Sequence, residues 1–214
     1  MLRLTNLMKT LLSIAIIIFF ATGCQTSSKK TNPDQYIENI QKERINKNKD
    51  LLDTTISRFN QEERAHFAMK GLQYFPPDIK YYVDAKFVID TSTPAFQMAT
   101  TTDRKPNYRI YGYLDFVLKD TACRLTVFQN VDIKDHPEHG KFLFIPFIDN
   151  TNEFTTYGAG RYIDILIPSA PQILLDFNNA YNPYCAYADR WSCPLVPFDN
   201  HLDVSIFAGE KKYK

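Results

Sequence analysis

Glycine is scarce in this sequence, with only 7 glycines among 214 residues, and none of them opens a helix after a strand as a nucleotide-binding loop requires. The formal net charge is only +1, which gives no support to nucleic-acid binding. A Gly-x-Ser-x-Gly motif is absent, so a hydrolase built on a nucleophile elbow has no basis. Internal repeats and an alternation of strands with long helices are also absent, which excludes a doubly wound α/β fold.

The N-terminus has the order of features that predicts export. Arg3 and Lys9 are basic, and residues 11–20 are almost wholly apolar. This apolar run is shorter than the roughly 20 residues that a membrane-spanning helix needs. The segment 21–24, Ala-Thr-Gly-Cys, follows it, and a cysteine directly after small residues resembles the lipobox of bacterial lipoproteins, with Ala21 where leucine is usual.

We therefore predict a signal peptide over residues 1–23, a lipid on Cys24 and a flexible polar tether over residues 24–33. The alternative is an uncleaved anchor helix with an ordinary cysteine. Gln25 follows the cysteine, where an aspartate would favour retention in the inner membrane. The expected location is thus the cell envelope, lipid-anchored on the periplasmic face of the outer membrane, with the membrane as the first partner.

Residues 34–214 are expected to form a single β-rich domain. Aromatic residues make up 14% of the chain, which suits strands with packed faces. Residues 34–52 and 60–70 have apolar spacing and capping residues typical of helices. Seven later segments predict strands, with a hairpin loop at 119–121: 81–90, 107–118, 122–130, 141–148, 161–168, 172–177 and 201–208. We predict a mainly β (α+β) fold, an antiparallel β-sandwich or barrel-like domain preceded by two N-terminal helices.

The cysteines downstream of the tether have separate roles. Cys185 and Cys193 lie close together in a proline-rich segment, and such a pair favours a disulfide in an oxidising compartment. The alternatives are a metal pair with His201, or a cysteine nucleophile that uses His201 as its base. Cys123 lies in an alternating apolar stretch and is interpreted as a buried thiol. No metal or other cofactor is expected.

Several motifs carry a resemblance to a known family. They are GLQYFP at 71–76, FIPFID at 144–149, TYGAGRY at 156–162, DFNNAYNPYCAY at 176–187, CP at 193–194 with PFDN at 197–200, and AGEK at 208–211. Together they resemble the bacterial family with the domain of unknown function numbered sixteen eighty-four. The resemblance covers most of the mature chain but implies no activity and no catalytic residue. Both cysteines belong to the family pattern, which implies a structural role for the pair.

The candidate site residues lie in the same motifs. A guanidinium suits a carboxylate or phosphate, and neighbouring amides and hydroxyls both donate and accept hydrogen bonds. The candidates for ligand binding are Tyr157, Arg161, Asp176, Asn178, Asn182 and Glu210.

These candidate residues allow three interpretations, two functional and one purely structural. The first is a lipoprotein that binds a small polar or anionic ligand, or an envelope partner, through Arg161, Asp176 and Asn178. The second is a small hydrolase or other enzyme that uses carboxylates of the same segment. The third is pure scaffolding, in which Arg161 forms a buried ion pair, for example with Asp176.

Overall fold

A computed structural model describes residues 32–214; the predicted signal peptide, the lipid site at Cys24 and most of the tether lie outside the described residues. Two helices come first, α1 over Pro33–Leu52 and α2 over Gln61–Lys70. The Asn60 side chain accepts the backbone N–H of Glu63, whose carboxylate accepts the N–H of Asn60, so α2 begins with a capping box. Within residues 32–214, neither helix has the length and apolarity needed to cross a bilayer.

Seven strands form one antiparallel sheet that curls into a half-barrel. Its order is β6-β5-β4-β3-β1-β7, with β2 added beside β3. The strands are β1 Tyr82–Ile89, β2 Phe96–Gln97, β3 Asn107–Leu118, β4 Thr121–Asn130, β5 Phe142–Phe147, β6 Arg161–Leu166 and β7 Gln172–Asp176. The prediction of a mainly β fold behind two helices is confirmed, and of its two forms the barrel-like one, a single curled sheet, is present.

A two-residue turn joins β3 to β4. Lys119 and Asp120 have φ values of +50° and +62°, and two consecutive positive φ values are typical of type I′ hairpin turns. The predicted hairpin loop is therefore in place, and Thr121 already belongs to β4.

The main core lies inside the curled sheet and is closed by the C-terminal segment. Leu114 and Leu125 from the central strands are fully buried, as are Ile145 and Phe177. A second cluster packs beneath the helices and includes Phe59, Phe67, Leu72, Tyr187 and Tyr213. The two clusters explain why the helices and the C-terminal segment are fixed to the sheet.

The predicted strand over residues 201–208 was wrong. Its alternation reflects burial, since Leu202, Val204 and Ile206 all face the core. However, the carbonyls of Ile206 and Ala208 accept hydrogen bonds from the Arg161 guanidinium. A side chain thus takes the acceptors that a neighbouring strand would use, and the segment packs as irregular backbone.

Candidate functional site

Arg161, at the start of β6, is fully buried. Its Nη2 donates to Asp149 Oδ2 at 2.7 Å and to the carbonyl of Ile206 at 3.0 Å. Its Nη1 donates to the carbonyls of Ala208 and Glu210. Burial lowers the pKa of Arg161, and the Asp149 carboxylate opposes this shift. Arg161 therefore clamps the C-terminal segment to β6 and does not reach solvent.

Asp176 and Asn178 form a separate network with Tyr36 of α1. The Tyr36 hydroxyl donates to both Asp176 carboxylate oxygens at 2.8 Å. The Asn178 amide group donates to the Tyr36 hydroxyl at 2.8 Å and to the carbonyl of Asp78 at 2.9 Å. This network anchors α1 to the end of β7.

Glu210 and Asn182 belong to a third buried group. Glu210 Oε2 accepts the backbone N–H of Asn182 at 2.8 Å and the Tyr187 hydroxyl at 2.7 Å. Its other oxygen, Oε1, pairs with Lys47 Nζ at 2.7 Å. The Glu210 side chain is 1% exposed, while that of Lys47 is 39% exposed, so Lys47 neutralises the buried carboxylate from the surface.

Tyr157 contacts the cysteine pair. Its hydroxyl donates to Cys185 Sγ at 3.7 Å, and the backbone N–H of Cys185 donates to Cys193 Sγ at 3.2 Å. Both thiols are free in this structure. The predicted disulfide is therefore not seen, although the two residues are neighbours.

The structure does not form the predicted pocket around Arg161, Asp176 and Asn178, and the ion-pair partner of Arg161 is Asp149. The reason lies in the partners of each residue, because Asp149 and the C-terminal segment enclose Arg161, while Asp176 and Asn178 form hydrogen bonds with Tyr36 of α1. Two of the candidates, Asn178 and Glu210, nevertheless border an opening beneath α1.

That opening, which we call the α1 cleft, consists of two adjacent cavities. The inner part is a cavity of about 150 Å³. The outer part has a volume of about 460 Å³, is largely apolar and includes Ile45, Phe75 and Pro77. Arg44 and Tyr74 line both parts. The inner part is lined by Glu43, Arg44, Lys47, Tyr74, Asn178, Asn179, Ala180 and Glu210.

Two residues that line the α1 cleft each carry a donor without an acceptor. Arg44 donates from Nη1 to the carbonyl of Phe75 at 2.7 Å and from Nη2 to that of Asn178 at 3.1 Å. Its Nε and the Tyr74 hydroxyl are both buried and unpaired. Buried polar groups are nearly always hydrogen-bonded, so two such donors on residues that line one cleft need an explanation.

Among the described residues, Arg44 also has no ion-pair partner in direct contact, although Asp176 and Glu210 are near enough to act on its charge. Within the described part of the chain it forms no salt bridge, and its guanidinium lies 4.5 Å from the centre of the Tyr74 ring. Burial lowers the pKa of Arg44. Burial, followed by the nearby Glu210 charge, raises the pKa of Tyr74. Tyr74 therefore stays protonated and remains a hydrogen-bond donor close to the Arg44 guanidinium.

Arg44, Lys47 and Tyr74 were missed as site residues in the sequence. One signal was present, because Arg44 occupies a position of the apolar stripe of α1, four residues after the buried Ile40. A charged residue on the inward face of an amphipathic helix needs a partner that the helix itself does not supply. The partners, residues 74–77 and 178–180, are supplied only by tertiary folding.

Two further cavities lie elsewhere on the domain. One of about 410 Å³ lies between α2 and the C-terminal residues and includes His66 and Tyr213. The other, about 540 Å³, lies between β6 and β7 and includes Asp164 and Asp176. Among residues 32–214, no three His, Cys, Asp or Glu side chains are grouped as metal ligands.

Comparisons with known proteins give a family but no activity. A solution NMR structure of an uncharacterized protein from Haloarcula marismortui matches with a TM-score of 0.63 and 32% sequence identity. The match covers 83% of this chain and 95% of the other. No curated protein matches. The model of a family described as "Protein of unknown function (DUF1684)" matches residues 67–211. The chain therefore belongs to the DUF1684 family.

Proposed function

We propose that this protein is a lipid-anchored envelope protein that binds a small organic anion in the α1 cleft. The observation that carries the proposal is the pair of buried, unpaired donors, Arg44 Nε and the Tyr74 hydroxyl, on two residues that line the same cleft. A carboxylate or phosphate oxygen would accept from both, and such charge-assisted bonds are stronger than neutral ones. In an oxidising envelope compartment, Cys185 and Cys193 would be closed as a disulfide.

The size and lining of the α1 cleft define the ligand class. The inner cavity of about 150 Å³ holds only an acidic group and a few further atoms. The outer part, with Ile45, Phe75 and Pro77 in its wall, suits an apolar portion of the same molecule. Lys47 lines the inner part and pairs with Glu210, so the Glu210 carboxylate there is neutralised. We therefore expect an amphipathic organic acid or phosphate monoester.

The test compares binding in two single variants. Isothermal titration of the purified full chain with inorganic phosphate, acetate, octanoate and hexyl phosphate should show the tightest binding for the last two. Arg44→Gln should weaken that binding by at least about 10-fold, since hydrogen bonds to charged groups contribute about 1.5–3 kcal/mol. Lys42→Gln removes the same charge from the exposed side of α1 and should leave binding unchanged.

Tyr74→Phe separates binding from folding. Because the hydroxyl has no partner in the free protein, its removal should leave the midpoint of thermal unfolding unchanged or higher. The same variant should bind the anion several-fold more weakly. Absence of binding by any anion in the panel, or binding that both Arg44→Gln and Tyr74→Phe retain, rejects the proposal.

One observation favours acid–base catalysis as a second function. Asp164 and Asp176 share the wall of the cavity of about 540 Å³, and burial raises the pKa of Asp176. The Tyr181 hydroxyl donates to Asp164 Oδ2 at 2.6 Å. Carboxyl groups with raised pKa values in a cleft are suited to proton transfer.

A hydrolysis panel tests this second function. If the full chain cleaves chromogenic esters, phosphates or glycosides, Asp164→Asn and Asp176→Asn should each reduce the rate by about 100-fold or more. Asp84→Asn removes an exposed carboxylate of β1 and should leave the rate unchanged. No cleavage of any substrate, or full activity in both test variants, rejects catalysis by these carboxylates.

A further inference from the structure

Cys185 and Cys193 are held together by backbone that is fixed at both ends of the intervening loop. Cys185 lies in the 3₁₀ turn Tyr184–Ala186. Cys193 is fixed to Thr101 by two hydrogen bonds, from its N–H to Thr101 Oγ1 at 3.1 Å and from the Thr101 N–H to its carbonyl at 2.9 Å. The closeness of the two residues is therefore a property of the fold.

The two sulfur atoms have different surroundings. Cys185 is half-buried, while Cys193 is buried, with 6% of its surface exposed. The Tyr157 hydroxyl donates to Cys185 Sγ at 3.7 Å, and the Cys185 N–H donates to Cys193 Sγ at 3.2 Å. Cys185 is thus the more accessible residue of the pair, and Cys193 is the more enclosed one.

Hydrogen bonding also separates the acidities of the two thiols. The neighbouring Cys193 thiol, aided by the hydrogen bond from Tyr157, lowers the pKa of Cys185 to about 7. The neighbouring Cys185 thiol, followed by burial, raises the pKa of Cys193. Asp189 and Arg104 are the other charged groups near the pair. The greater exposure of Cys185 assigns it the attacking role, and its lowered pKa favours the thiolate, which is the nucleophile.

We propose that Cys185 and Cys193 form a redox-active dithiol, with Cys185 as the attacking thiol and Cys193 as the resolving thiol. The Cys185 thiolate attacks one sulfur of an external disulfide RSSR, forms a mixed disulfide and expels RS⁻, which takes up a proton. Cys193 then loses its proton to solvent, attacks Cys185 Sγ and expels the second RS⁻. The balance is two protein thiols plus RSSR giving one protein disulfide plus two RSH. This proposal is independent of anion binding in the α1 cleft.

The loop between the cysteines contains an intrinsic reporter. Trp191 is the single tryptophan of the chain, and its ring centre lies 4.8 Å from that of Tyr184. Tyr184 directly precedes Cys185, and Trp191 lies two residues before Cys193. Closing the disulfide should thus change the distance between the two rings. Trp191 fluorescence should therefore change as the reduced full chain is equilibrated with mixtures of reduced and oxidised glutathione.

Alkylation of the reduced full chain tests the asymmetry. Iodoacetamide modification, followed peptide by peptide with mass spectrometry, should reach half its maximal rate at Cys185 near pH 7, because the pKa of this thiol is about 7. At pH 7, Cys193 should react at least about 10-fold more slowly than Cys185. Cys123, a third free thiol whose pKa burial raises, should be as slow as Cys193. Equal rates at Cys185 and Cys193 would overturn the assignment of roles.

Trapping of the mixed disulfide tests the mechanism. With oxidised glutathione, Cys193→Ser should accumulate glutathione on Cys185, whereas Cys185→Ser should gain little on Cys193. The unmodified chain should release glutathione and form the internal disulfide, and Cys123→Ser should behave in the same way. A stable glutathione adduct on Cys185 of the unmodified chain would refute the dithiol, because Cys193 would then have failed to resolve it.

Discussion

Replacing Arg161 with alanine is expected to destabilise the protein severely. The substitution leaves Asp149 without its cation in a site where both side chains are fully buried. It also leaves the carbonyls of Ile206 and Ala208 without donors. Breaking a buried pair in this way costs about 3–5 kcal/mol. This is a large share of the free energy of unfolding of an ordinary domain, which is about 5–15 kcal/mol.

The measurement is urea unfolding followed by far-ultraviolet circular dichroism. Arg161→Ala should lower the midpoint strongly or yield no folded protein. The matched control is Arg124→Ala, since Arg124 pairs with Asp115 at 2.6 Å with side chains 62% and 34% exposed. That exposed pair should contribute at most about 1 kcal/mol. Similar losses in the two variants would contradict the clamp assigned to Arg161.

Gly160→Ala is also expected to destabilise the protein strongly. Gly160 has a φ of +99°, and an added Cβ would lie 2.4 Å from Val196 Cγ2 and 2.8 Å from the carbonyl oxygen of Phe147. A positive φ in a residue with a side chain and overpacking of a core each cost about 1–3 kcal/mol. We expect a loss of about 3 kcal/mol in the free energy of unfolding, measured by urea denaturation, with the m-value unchanged.

The control lies two residues away in the same TYGAGRY motif. Gly158 has no positive φ, and its nearest neighbour would be the flexible Glu153 side chain at 3.1 Å. Gly158→Ala should therefore change the stability by less than about 1 kcal/mol. If the two glycines proved equally sensitive, the motif would need another explanation than the backbone conformation at Gly160.

Local patterns were sufficient to predict most of the secondary structure. The capping box of α2 depends on Asn60 and Glu63, which are three residues apart, so the sequence alone predicts it. The strands β3 and β4 were predicted correctly because their alternating pattern and the turn between them depend only on residues close in sequence. β2 was missed because it contains only Phe96 and Gln97, which is too short to show a period.

Residues that act over long sequence distances were harder to predict. The segment 201–208 has the alternating pattern of a strand, but the Arg161 side chain donates hydrogen bonds to the carbonyls of Ile206 and Ala208. At the α1 cleft, Arg44 donates to the carbonyls of Phe75 and Asn178, which are 31 and 134 residues away in the sequence. A sequence pattern cannot show that Arg44 lacks a carboxylate, because that depends on which residues folding brings near it.

The polar motifs illustrate the same limit. The sequence identified Arg161, Asp176, Asn178, Asn182 and Glu210 as an unusual concentration of polar residues. The structure shows that Arg161 and Asn182 satisfy buried backbone, and Asn178 and Glu210 do so too while bordering the α1 cleft. The polar residues of the motifs therefore mainly stabilise the fold around the α1 cleft, whereas the unpaired donors of the cleft belong to other residues.

Binding of the anion at Arg44, and not at Arg161, can be tested by one NMR titration. Both guanidinium groups have a buried, unpaired Nε, so each should give its own ¹H–¹⁵N Nε–Hε signal. Arg44→Lys and Arg161→Lys would assign the two signals. On addition of octanoate or hexyl phosphate, the Arg44 signal should move downfield as its Nε–H gains an acceptor, while the Arg161 signal should stay in place. A shift confined to Arg161, or no shift of Arg44 at saturating anion, would contradict binding in the α1 cleft.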